Sequence, residues 1–179
     1  MPIPQDTKDA AITRLLYDLS VLVDAIEFLK RWTRKPKTLD LGEERLALNA
    51  ALVKTRLLYD FFYVCVGAPN DVTADKFLPV PLRQYTNEEL AFRRLINTWC
   101  AHMSWKRVSS AAKTRPPTRP QARRFGSAVL SHAIPFVEAY LDDGYKPNKT
   151  ARIYWLRIQV GRPDRPPNTE MSKRKNRDA

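Results

Sequence analysis

The sequence predicts an all-α protein: a helical bundle of four to five helices filling residues 1–160 as a single domain, with a disordered basic tail over 161–179. Three observations carry that prediction. Apolar residues recur every three to four positions through several long segments, the spacing of one helix face. Capping signatures stand at the head of three of those segments, in the strings TNEE, TRPQ and DLGE. The chain also has only five glycines, while its fourteen prolines gather between and after the periodic stretches, where they interrupt helices.

Taken in order, residues 1–6 are a proline-containing lead-in, and Asp6 or Thr7 is the expected cap of a first helix reaching about Thr33. Its apolar face comprises Ile12, Leu15, Leu16, Leu19, Leu22, Val23, Ile26 and Leu29. Lys30, Arg31, Arg34, Lys35 and Lys37 close it with positive charge, which suits the negative end of a helix dipole. A second helix opens at Asp40-Leu41-Gly42-Glu43 and runs to about Val66. It is apolar on more than one side toward its end, so that half is expected at the centre of the bundle. The stretch VTADKFLPVPLRQY then combines two prolines with large apolar side chains. It reads as an ordered crossover loop anchored by Phe77, Leu78, Val80 and Leu82, either simply packed across the bundle or roofing a cleft.

The segment from Thr86 to Arg107 carries the residue types best suited to chemistry. Thr86 and Glu89 form a capping box, and Phe92, Leu95, Ile96, Trp99 and Met103 fall on one face. Arg94 and Asn97 take the polar side and His102 its margin. On a uniform helix Arg94 and His102 are separated by about 80° of arc and about 12 Å of rise. That spacing forbids direct contact but allows both to reach one extended ligand.

The string INTWCAHMSWKR resembles an RINKxxAHLTxxR-type signature of a group of uncharacterised bacterial helical proteins. More loosely, it is similar to the HEPN (higher eukaryotes and prokaryotes nucleotide-binding) domains, which often carry an arginine, four to six intervening residues and then a histidine. Asn97 and His102 match directly, with Arg94 as the corresponding arginine. Leu95 stands where the signature places its own, and seven residues separate Arg94 from His102. The resemblance implies an all-α RNA- or nucleotide-binding bundle or a metal-independent ribonuclease, commonly a homodimer with two such motifs in one cleft.

From Lys106 to Arg124 the chain holds seven cations (Lys106, Arg107, Lys113, Arg115, Arg119, Arg123 and Arg124) and no acid. Pro116, Pro117 and Pro120 keep the middle extended. Cations without acidic neighbours suit phosphate contacts, although a solvated loop with incidental charge has the same composition. Thr118-Arg119-Pro120-Gln121 then starts a helix to about Asp142, which Pro135 is expected to kink or split. His132 within it reads as a partly buried core residue rather than a catalytic one. Asp142-Asp143-Gly144 stops that helix. Residues 150–160 are β-branched and aromatic, but a strand there would lack a partner, so a short docked helix is the expectation.

The net charge of +12 favours a polyanion: nucleic acid first, then an acidic protein or an anionic membrane surface. Cys65 and Cys100 lie in apolar runs and read as reduced core residues. With two histidines in the chain, no metal or other cofactor is expected, and neither a signal peptide nor a membrane span is evident. A cytoplasmic location follows from that reading. Three functions stand: a non-catalytic bundle that binds nucleic acid or an acidic partner; an endoribonuclease using His102 as acid or base and Arg94, with Arg93, over the phosphate, Asn97 orienting the imidazole or bonding a ribose or phosphate oxygen; and a helical scaffold.

Overall fold

A computed structural model describes residues 4–34, 41–63, 72–101 and 115–161. Among these, five α-helices form an all-α bundle: α1 Gln5–Arg34, α2 Leu41–Phe62, α3 Asn87–Ile96, α4 Arg119–Asp142 and α5 Lys149–Val160.

Helix α1 is the spine, packed against α2, α4 and α5. Its eight periodic apolar residues are all buried, five of them completely: Ile12, Leu16, Leu19, Leu22 and Leu29. Fully burying side chains of this size contributes ~1.5–3 kcal/mol each, so the spine's stability resides in this face. A part-buried ion pair fixes α1 against α2: the Lys54 ammonium lies 2.6 Å from the Asp18 carboxylate and 5.1 Å from the centre of the Tyr17 ring. The start of α1 corrects the expected cap. The helix begins at Gln5, and the Pro4 carbonyl already accepts from the Lys8 amide at 3.1 Å, so Asp6 and Thr7 lie inside its first turn. Pro4 can occupy that position because a residue just ahead of a helix needs no N–H of its own.

The later half of α2 enters the core through Leu52, Leu58, Tyr59, Phe61 and Phe62, whereas Leu46 is 71% exposed. Beyond Phe62, the Tyr63 backbone pairs with Arg83, whose amide donates to the Phe62 carbonyl at 3.0 Å. That single bridge ties the crossover loop to the end of α2. Phe77 and Leu78 sink into the core, and Val80 and Leu82 pack against it, as the loop's composition implies. Phe77 meets both Phe61 and Tyr140, so the loop spans from α2 to α4.

Helix α4 bears out its capping box: Thr118 and Gln121 bond reciprocally, with Pro120 in the first turn. It does not split. Pro135 sits inside one continuous helix. Proline deprives the Ser131 carbonyl of its usual donor, but Ser131 and Pro135 both lie on the exposed side, where water can satisfy that group. Gly126 marks a close approach of α4 to α1 and α2. A Cβ there would lie 2.9 Å from the terminal methyl of Ile26 and 3.2 Å from both Leu22 and Thr55. Gly144, at φ +98°, ends the helix in the left-handed region that glycine reaches without strain. Asn148 then caps α5, which docks on α1 through Ala151 and Ile158 and sets Tyr154 edge-on to Tyr17. No described helix is long and apolar enough to cross a membrane.

Candidate nucleic-acid interface

The Thr86 capping box forms in full. The Thr86 hydroxyl accepts from the Glu89 amide, and the Glu89 carboxylate accepts from the Thr86 amide at 2.8 Å. Its other oxygen accepts from the Tyr63 hydroxyl, also at 2.8 Å. Glu89 is therefore buried with a hydrogen bond to each carboxylate oxygen. Burial pushes its carboxyl up, but bonds from Thr86 and Tyr63, together with the charge of Arg83, outweigh that and hold it below the usual value. Tyr63 moves oppositely: burial and donation to Glu89 raise its phenol well above the ordinary range. A cap has become a three-way tie between α3, α2 and the crossover loop.

Phe92 and Ile96 turn inward from α3, and Phe92 stacks on Phe125 of α4 with ring centres 4.2 Å apart. After Ile96 the helix widens into a π-helical turn, Asn97–Ala101. This corrects the uniform-helix geometry, because i→i+5 bonding rotates less per residue, so the about 80° separation between Arg94 and His102 does not apply. Trp99 lies on that turn, 39% exposed rather than buried in the stripe. His102, Met103, Lys106, Arg107 and Lys113 lie outside the described residues, as does Cys65; Cys100 has no described side chain.

The arginines of the expected site divide into two kinds. Arg93 is structural: its Nε and Nη2 converge on one carboxylate oxygen of Asp60 at 3.1 and 2.7 Å, and its guanidinium lies 5.7 Å from the Tyr85 ring centre. Arg119 pairs with Glu44 of α2 at 2.6 Å, and Arg124 pairs with Glu88 of α3. The stretch up to Arg124 lacks acids in sequence, but the fold supplies two from other helices, which corrects its reading as free of acidic partners. The Arg124–Glu88 pair is about two-thirds exposed on each side and adds little stability.

Arg94 and Arg115 are of the other kind: exposed, with no acidic partner among the described residues. Arg123 also lacks one, and its Nε is buried without a hydrogen bond among the described residues. Asn97 is half-buried at the junction of α3 and the π turn, where its backbone N–H donates to the Arg93 and Arg94 carbonyls. Arg94 and Asn97 thus sit three residues apart on one rim of the bundle. Phe92 on Phe125 brings the start of α4, with Arg123, alongside that rim.

A second pair of residues, far apart in sequence, meets in the fold. Arg83 of the crossover loop and His132 of α4 face a common cleft of about 330 Å³. The Arg83 guanidinium lies 5.5 Å from the Tyr63 ring centre. Burial lowers the His132 pKa, Arg83 lowers it further, and Glu89 opposes both. The sequence signal was slight: one cation in a proline-rich apolar loop and one histidine on an apolar helix. No family model, curated protein or solved structure matches the chain.

Proposed function

We propose that this protein is a non-catalytic, HEPN-like helical module of the cytoplasm that binds single-stranded or loop RNA through the rim between α3 and α4. The observation that carries the reading is a pair of exposed arginines without acidic partners among the described residues, Arg94 and Arg115, on a chain of net charge +12. Arg123 adds a third cation, and Lys106, Arg107 and Lys113 lie in the intervening chain. Guanidinium groups unengaged by carboxylates are available to phosphate oxygens without first breaking an ion pair. Trp99 lies part-exposed one turn beyond Arg94.

Fluorescence anisotropy with a labelled unstructured RNA tests this, with chelator present and ionic strength raised from about 50 to 200 mM. Affinity should fall steeply with salt. Each of Arg94→Ala and Arg115→Ala should reduce the log–log slope by about one. Absence of RNA affinity at low salt overturns the proposal. Chelator-resistant cleavage, lost in both His102→Ala and Arg94→Ala, would replace it with the ribonuclease reading.

A further inference from the structure

We infer that the cleft between the crossover loop and α4 is a binding site for a small amphipathic anion, an apolar body carrying one carboxylate. The roof is the loop, through Val80, Pro81 and Arg83; the floor is α4, through His132, Pro135 and Phe136. At about 330 Å³ the space stands at the small end of the range for ligand clefts, ~300–1,000 Å³. Its walls are mostly apolar, with Phe62 and Ala74 completing the far side.

The polar groups are few, and the permanently charged one, Arg83, is cationic. Arg83 is exposed and has no acidic partner among the described residues. Glu89, near enough to feel its charge, is already occupied by the Thr86 amide and the Tyr63 hydroxyl. Ser131 at the edge spends its hydroxyl hydrogen on the Ala128 carbonyl at 2.7 Å. Cationic Arg83 and the His132 imidazole therefore face an apolar space in which the lining supplies no carboxylate. A bound carboxylate would neutralise Arg83 and take a hydrogen bond from His132, while its hydrocarbon part covers Phe62 and Phe136. A neutral or cationic ligand would leave the guanidinium uncompensated.

Arg83 is also well held for this role. Its backbone amide is fixed to the Phe62 carbonyl at 3.0 Å, and its guanidinium rests near the Tyr63 ring. The loop itself is pinned by buried Phe77 and Leu78. Such a site is largely formed before the ligand arrives, which limits the ordering cost of binding.

Isothermal titration of the full chain with octanoate, beside octanamide as the uncharged match, tests the inference. Octanoate should bind with a single site and octanamide at least about tenfold more weakly. Arg83→Gln, which leaves the backbone bridge intact, should cost octanoate a similar factor. Ala139→Trp, which fills the cleft from its exposed edge, should abolish binding of both, while circular dichroism reports an unchanged helical fold. Failure of octanoate to bind up to its solubility overturns the inference, as does equal affinity for acid and amide or unaltered affinity in Arg83→Gln. RNA affinity measured on Arg83→Gln separates this cleft from the α3–α4 rim: it should be retained there.

Discussion

Glu89→Ala is the substitution that most directly probes how the candidate site is held. The side chain accepts from the Thr86 amide and the Tyr63 hydroxyl while itself buried. Its removal strands the Tyr63 hydroxyl away from water, a penalty of about 1–3 kcal/mol. It also undoes half of the capping box, worth about 1 kcal/mol. The expected loss is therefore about 2–4 kcal/mol, read as a lower urea midpoint at unchanged slope. Glu88→Ala is the internal comparison: one residue away, it breaks only the exposed pair with Arg124 and should cost less than about 1 kcal/mol. The pH dependence supplies a second readout. Because the folded state holds the Glu89 carboxyl below its ordinary value of 4.5, the contribution is complete above that pH and is lost as pH falls through the lowered value. Glu89→Gln should lack that part of the acid dependence. Equal urea midpoints for Glu89→Ala and Glu88→Ala would refute the reasoning, since burial and bonding would then count for nothing.

Thr55 is wholly buried and its hydroxyl has no hydrogen-bond partner among the described residues, so Thr55→Val should raise stability by about 1 kcal/mol in the same titration. Gly126→Ala should do the reverse: crowding Ile26 and Leu22 costs about 1–3 kcal/mol, and the gain in helix propensity returns at most about 1. His132 is held below its ordinary pKa of 6.5, so the folded state takes up its proton less readily than the unfolded chain. Its contribution should be complete above about pH 6.5 and decline as pH falls from there toward the lowered value, a slope that thermal melts of His132→Phe should not show.

What could be read from the sequence was what the chain decides within a few residues of itself. The eight apolar positions of α1 all reach the core because a 3.6-residue period places them there whatever surrounds them. Both capping boxes form because their partners are three residues apart. Helix α5 emerged despite its β-branched content, since nothing offered it an edge to pair with. Most of the missed features are non-local. Asp60 is 33 residues from Arg93, and Glu88 is 36 from Arg124, so a charge count along the chain cannot see that they meet. The same blindness hid the joint cleft of Arg83 and His132. The π turn escaped because periodicity arithmetic assumes one pitch throughout, and only the backbone shows where that pitch changes.

The division among the arginines makes fold and binding separable by experiment. Arg93 fastens α3 to α2, and both members of its pair are largely covered, so Arg93→Ala should lower stability by about 1–2 kcal/mol after allowing for partial exposure. Neighbouring Arg94 touches no acid among the described residues, and its loss should change stability by no more than about 0.5 kcal/mol. If free cations bind the phosphates, the order reverses in the RNA titration: Arg94→Ala flattens the salt dependence and Arg93→Ala leaves it nearly unaltered. A mere excess of positive charge would make the two variants equivalent there, because each removes one charge from the same two turns of helix. Equal salt slopes for Arg93→Ala and Arg94→Ala would therefore reduce the proposed rim to general electrostatic attraction, with no site in it.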